Sequence, residues 1–288
     1  MSAKFGPAGN SDAFSAVHKS SLAAPQWIAE QGLDCYEYQC GKGVHVGEDT
    51  ARRVGENARK HGISLSLHAP YFINLANPDP DSLQKTIGYI TSACLVASQM
   101  GASRVVIHSG ALMKRTRREA LDTALRSLRE VIRTCDGQGF GHIALCPETM
   151  GKINQLGDLE EVLELCTLDE RLIPCIDFSH LYARSLGADD GAEAFGRMLD
   201  RVESVLGQSR ASVFHSHFSH IQFTPGGGEK CHRTFDDDDG YGPDWAPLAR
   251  AIARRGWSPT FICESAGTQA KDALTMKRIY QEVLTAQG

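Results

Sequence analysis

Six residues with metal-ligand side chains stand at the ends of six apolar runs: His68 in LSLHAP, His108 in RVVIHSG, Glu148 in IALCPET, Asp177 in LIPCIDFSH, His217 in SVFHSHFS and Glu264 in TFICESA. The intervals between them are 40, 40, 29, 40 and 47 residues. Imidazole and carboxylate together suit zinc, manganese or iron. Further candidates lie close by. His180 follows Asp177 in D-F-S-H, and His215 and His220 flank His217. Glu229 and His232 lie in GGGEKCHRTF, on a loop expected after the seventh strand, with Cys231 beside His232. A single histidine at a strand end reads most simply as a hydrogen-bonded structural residue. That reading weakens when eight or more candidates project to one face, because burying so many ionisable groups without a cation is costly. His18, His45, His61 and His142 carry no such pattern and read as surface residues.

Intervals of this length hold a strand, a loop and a helix. Eight strands can be placed: around Phe5, then Cys35–Tyr38, Leu65–His68, Arg104–His108, Ile143–Glu148, Leu172–Asp177, Val213–His217 and Phe261–Glu264. Helical periodicity fills the gaps, with Leu83, Ile87, Ile90 and Cys94 on one face and Leu121, Leu125, Leu128 and Ile132 on another. Asp158 reads as an N-cap with Glu161 as its capping-box partner, turning Leu159, Val162 and Leu163 inward. Alternating strands and helices imply a parallel α/β sheet. Eight units favour closure into a (β/α)8 TIM barrel, a single domain over residues 1–288. In such a barrel the C-terminal strand ends converge on one face, so distant ligands share one pocket.

Bulk properties agree with this reading. The chain has 288 residues and 42% hydrophobic content, enough for one such core. No apolar stretch approaches the ~20 residues of a membrane span, and the N-terminus MSAKFGPAGNSDAFS lacks the apolar segment of a signal peptide. No pair among the nine cysteines stands as C-x-x-C, and several lie within expected strands, which points to a reducing cytoplasm. The net charge of −5 mildly disfavours a polyanionic partner, but three bound divalent cations would add six and bring it to +1. No dinucleotide or P-loop glycine motif is present, and no feature marks an obligate protein partner.

The segments LHAPYFINLANP, VVIHSGA, CPETMGK, CIDFSHLYAR, HFSHIQF and GEKCHRTF closely resemble the endonuclease IV family, in particular its archaeal-type relatives with a G-E-K-x-H pattern. The resemblance runs from about His61 to Glu264, while KFGPAG near the N-terminus matches loosely. It implies a xylose-isomerase-like barrel with two or three metal ions, usually zinc, with manganese as an alternative. His68, His108 and Glu148 would hold the first ion. Glu148 would bridge to a second, completed by Asp177, His217 and Glu264. His180 and His232 would hold the third. The chain departs from the family's pattern at Lys230, which stands where an aspartate ligand is expected; Glu229 next to it is the substitute the relatives suggest.

The activity implied is metal-dependent hydrolysis of DNA 5′ to abasic or damaged sites. A metal-activated hydroxide would attack phosphorus in line, with Glu148 and Glu264 as the catalytic carboxylates. MKRTRRE follows His108, and its Lys114, Arg115, Arg117 and Arg118 read either as phosphate contacts or as the solvated first turn of a helix. Tyr71, Asn74, Lys152 and Arg184 follow strand ends and read as pocket-lining residues. Asp236–Asp239 cuts the other way, since four carboxylates facing DNA would repel it.

Two other readings stand. A single-metal sugar isomerase or epimerase on the same barrel would use Glu148, Asp177, His217 and Glu264 alone, two glutamates working as acid and base. A non-catalytic binding protein would keep the barrel and lose ligands, and only Lys230 hints at that.

Overall fold

The computed structural model describes residues 2–287. Ten strands run in chain order: β1 (Lys4–Pro7), β2 (Cys35–Gln39), β3 (Ser64–His68), β4 (Arg104–His108), β5 (Ala144–Glu148), β6 (Cys175–Asp177), β7 (His215–Phe218), β8 (His220–Thr224), β9 (Gly228–Arg233) and β10 (Thr260–Cys263). Eight of them form one parallel sheet in the order β1-β10-β7-β6-β5-β4-β3-β2. Its two edges meet at a parallel bridge between Ala8 and Glu37, where the Gly9 amide donates to the Glu37 carbonyl at 2.9 Å. Gly6 permits this approach, since a Cβ there would lie 1.8 Å from the Cys35 carbonyl oxygen. The result is a nearly closed (β/α)8 barrel.

The helices follow from caps and periodicity. Thr116 and Glu119 form a capping box for Arg117–Gly137, and Asp158 and Glu161 form one for Leu159–Cys166. Asp79 caps Pro80–Met100, with Pro80 in its first turn. Ile87, Ile90 and Cys94 of that helix are buried, as are Leu121, Leu125 and Leu128 of the next; Leu83, Ile132 and Leu159 pack against the core from its edge. The apolar faces and the outer faces of the strands share one core, whose burial supplies the main stabilising term.

Two expectations are corrected. The sixth strand covers Cys175–Asp177 rather than Leu172–Asp177, because Arg171–Pro174 lies outside regular structure. The segment after the seventh strand is not a loop but an antiparallel hairpin, β8–β9, with a register shift between Gln222 and Phe223. This hairpin delivers Glu229 and His232 from above the barrel. Among the described residues, no helix is long and apolar enough to cross a membrane, and all nine cysteines are free thiols, with only Cys231 exposed.

Candidate metal centre

Neighbouring parallel strands pair in a register that brings their C-terminal ends level. His108 pairs with Glu148, and Asp177 with His217. The ligand candidates therefore converge at one mouth. Glu148 is its centre. Its Oε2 lies 3.2 Å from His68 Nε2 and 3.3 Å from His108 Nε2, and its Oε1 lies 3.0 Å from His217 Nδ1 and 3.5 Å from His180 Nδ1. Glu264, one residue past β10, approaches His217 Nδ1 at 3.5 Å and His232 Nε2 at 3.8 Å. Asp177 accepts the His180 amide as the cap of a short helix (Phe178–Arg184), which turns the His180 ring back over the mouth.

Potential ligand atoms fall within 4.8 Å of one another in three overlapping groups here: His68, Glu148 and His217; Glu148, Asp177, His217 and Glu264; and His180, His232 and Glu264. Glu229 Oε2 joins the last group through His180 Nε2 at 3.5 Å, while the neighbouring Lys230 is exposed. Gly151 makes room for this, since a Cβ there would meet Glu229 Cβ at 2.7 Å. His68, His108, Glu148, His180, Glu229, His232 and Glu264 line one open cavity of about 380 Å³, with Tyr71, Met150, Lys152 and Gln155.

The donor set fits divalent cations. Asp177 Oδ2 is buried and accepts no hydrogen bond, with His180 Nδ1 3.1 Å away, so a cation or a protonated His180 ring would satisfy it. Burial raises the Glu148 pKa on its own, but the charge of His217 and hydrogen bonds from His108, His217 and His68 more than offset it and hold the carboxyl well below its usual range. Burial likewise disfavours His180 charge, yet Asp177, Glu229, Glu148 and Glu264 lift its pKa to about 9. These carboxylates recruit positive charge, supplied by protons on the histidines unless metal takes their place.

His215 does not join this cluster. Its ring is fully buried, with Nε2 on Glu37 Oε2 at 2.8 Å and Nδ1 without a hydrogen bond; among the described residues its one ligand grouping is with Cys175 and His217. His220 stacks on Phe235, and Cys231 bonds Gln222, both away from the three groups at the mouth. Among the remaining histidines, His45 and His142 are exposed and His18 and His61 half-buried.

The residues read as substrate contacts divide sharply. Tyr71 is half-exposed, stacks on His108 with ring centroids 5.6 Å apart, and donates to Gln39 at 3.0 Å. Lys114 and Lys152 are exposed. Asn74, in contrast, accepts the Ala76 and Ala111 amides at 3.1 Å and ties two loops together. Arg115 donates to Thr123 and to the Ala76 carbonyl. Arg117 grips Glu161 and the Ile153 and Gln155 carbonyls, and Arg184 takes the Met150, Lys152 and Gln155 carbonyls. Arg118 pairs with Asp122 and Glu164. Arg115, Arg117 and Arg184 brace the loops around the mouth in this arrangement, and the exposed Arg118 links two helices. The acidic run is also largely occupied: Asp236 pairs with Lys271, Asp239 with Arg233, and Asp237 accepts the Thr234 amide.

One buried residue escaped the sequence reading. Glu37, in the middle of β2, is 0% exposed and touches both His215 and His217. The signal was available: a carboxylate within a barrel strand, CYEYQ, needs a buried partner.

The comparisons with known proteins agree with this architecture. The sequence profile described as xylose isomerase-like TIM barrel matches residues 25–282. An uncharacterized protein of Methanocaldococcus jannaschii is 30% identical over 256 residues, covering 89% of this chain and 90% of the relative. A probable endonuclease 4 of Acholeplasma laidlawii is 27% identical over 165 residues, 54% of each chain, so the match spans about half of that relative. Among solved structures, a D-tagatose 3-epimerase-like protein superposes with a TM-score of 0.72 at 17% identity, covering 99% of both chains. Endonuclease IV from Thermus thermophilus superposes with a TM-score of 0.63 at 18% identity, covering 93% of this chain and 95% of the other.

Proposed function

This chain belongs to the xylose isomerase-like TIM barrel family, and from that premise we propose that it is a metal-dependent phosphodiesterase of the endonuclease IV kind that cleaves DNA 5′ to abasic sites. The observation that carries this reading is the size of the ligand cluster. A single ion needs only Glu148, Asp177, His217 and Glu264, yet His68, His108, His180, His232 and Glu229 converge on the same cavity. The partial similarity to probable endonuclease 4 proteins supports it. Glu229 takes the place of the missing aspartate beside Lys230, in the manner of the G-E-K-x-H relatives. The free thiols support a cytoplasmic setting.

Two or three zinc or manganese ions held there would lower the pKa of a water to about 7 and neutralise charge building on a phosphate. His68, His108 and Glu148 would hold one. Glu148, Asp177, His217 and Glu264 would hold a second, and His180, His232 and Glu229 a third. Glu148 and Glu264 would orient the attacking water, and one of them would take up its proton. Tyr71 offers a ring at the cavity edge for a base or sugar face. Lys114 and Lys152, whose ammonium groups are exposed, contact phosphates. Asn74, Arg115, Arg117 and Arg184 shape the loops that carry these contacts.

One observation favours the alternative, a single-metal sugar isomerase or epimerase: the four ligands it requires form a complete group. The deciding experiment is incision of a labelled duplex bearing one abasic-site analogue, with zinc or manganese added and Glu148→Gln as control. Cleavage on the 5′ side, abolished by chelation and in the variant, is expected. No cleavage by folded, metal-loaded protein would transfer the assignment to the sugar reading.

A further inference from the structure

Four histidines of the mouth are held in one way. Each turns Nδ1 to a neutral group: His68 to the Ala69 carbonyl (2.7 Å), His108 to the Tyr71 carbonyl (3.1 Å), His180 to the Thr149 carbonyl (2.8 Å) and His232 to the Ser219 hydroxyl (2.8 Å). Nε2 then faces the cluster carboxylates, while His180 Nδ1 also lies 3.1 Å from Asp177 Oδ2 and 3.5 Å from Glu148 Oε1. His217 is reversed. Its Nδ1 faces Glu148 and Glu264, and its Nε2 meets Glu37 Oε1 at 2.9 Å. Its holder is therefore a full negative charge, buried inside the barrel.

Glu37 is itself fixed. Oε1 also accepts from the Gln39 amide at 3.1 Å, and Oε2 accepts from His215 Nε2 at 2.8 Å and Ser66 Oγ at 2.9 Å. The pairing of β2 with β3 sets Glu37 beside Ser66. A carboxylate with both oxygens occupied has little freedom to rotate, and it can only accept. Nε2 of His217 must then carry a proton, so the lone pair available for an ion is on Nδ1. A carboxylate behind an imidazole also makes the opposite nitrogen a stronger donor to metal.

We propose that Glu37 is a positioning residue of the metal centre, fixing the ring and the proton of His217 so that Nδ1 serves as the ligand, and that His215 is present to hold Glu37 rather than to bind metal. This rests on the metal-centre reading above and adds a residue that touches no ion. Two substitutions separate the effects. Glu37→Gln keeps the shape but can present an amide N–H to Nε2, which favours the wrong tautomer. Glu37→Asp keeps the charge but withdraws the acceptor by one methylene.

The test is zinc affinity and stoichiometry, by competition with a chromophoric chelator, for wild type, both Glu37 variants and His217→Gln, with circular dichroism confirming the fold. Long-range proton–nitrogen spectra of the zinc-loaded proteins, with the His217 signals assigned by their loss in His217→Gln, report which ring nitrogen carries the proton. Wild type should bind with Nε2 protonated and Nδ1 ligated. Both Glu37 variants should bind zinc about 10- to 100-fold more weakly, the range for loss of a partner behind a ligand, and Glu37→Gln should perturb the His217 signals. If Glu37→Gln does not fold, Glu37→Asp decides. Unchanged affinity and an unchanged His217 tautomer would overturn the role of Glu37 while leaving the metal centre standing. Absence of zinc binding by wild type would remove the metal centre, and this role with it.

Discussion

The barrel mouth and the rim segment Lys114–Arg118 are both crowded with charge, but the two differ in how that charge is satisfied. At the rim each arginine has found its partner within the protein: Arg117 on Glu161, Arg118 on Glu164 and Asp122, Arg115 on a backbone carbonyl. At the mouth, carboxylates and imidazoles crowd one another, and one buried acceptor, Asp177 Oδ2, accepts no hydrogen bond and has only the His180 ring, 3.1 Å away, beside it among these groups. Density of charge by itself therefore locates nothing. Charge that the fold gathers and leaves incompletely paired marks the place where something else must bind.

The widest gap between the regions should appear on removing Glu148. Glu148→Gln removes the negative charge shared by His68, His108 and His217 and replaces one of its two acceptor oxygens with a donor. Incision should fall by roughly 10²–10⁴-fold, as for a lost general base, and further as ions leave, while the chain stays folded by circular dichroism. At the rim, Arg117→Ala should act on stability first. It takes the cation from the Glu161 carboxylate, 8% exposed, and the arginine donor from the Ile153 carbonyl, and should cost about 1–3 kcal/mol in denaturant unfolding. If Arg117→Ala left stability intact but weakened DNA binding, the division drawn between rim and mouth would fail.

A pH series sharpens the same contrast. His180 is raised to about 9 within the cluster. In the metal-free protein its stabilising contribution is full below the ordinary histidine value of about 6.5 and is lost as pH rises through about 9. Metal binding has the opposite sign, because ions displace that proton. Affinity at the site containing His180 should climb by up to about tenfold per pH unit until about 9, measurable by chelator competition. A flat profile would detach His180 from the metal. The smallest effect is expected at Lys114, an exposed cation of the rim. Lys114→Ala should weaken DNA binding uniformly across sequences and reduce the salt slope by about 1, with stability unchanged.

The contrast also explains what could be read from the sequence. His68, His108, Glu148, Asp177, His217 and Glu264 were visible because a barrel places strand ends on one face, whatever the residues between them. The capping box of Asp158 and Glu161 was visible because its two halves lie three residues apart. The partners of the arginines were not, because Glu161 lies 44 residues from Arg117 and only the fold joins them. His215 stands two residues before His217 in the same strand, yet only the side-chain geometry shows that it meets Glu37 rather than the mouth. Glu37 itself was concealed by position, since it sits mid-strand among aromatic residues rather than at a strand end.

The most direct test of the central claim is the number of divalent ions bound per chain at saturation, counted by elemental analysis of the dialysed protein after loading with zinc or manganese. Two or three ions per chain, falling in Glu148→Gln, are predicted if the nine candidate ligand residues of the mouth act together. One ion per chain, held by Glu148, Asp177, His217 and Glu264 and unaffected by His108→Ala or His180→Ala, would contradict the multinuclear centre.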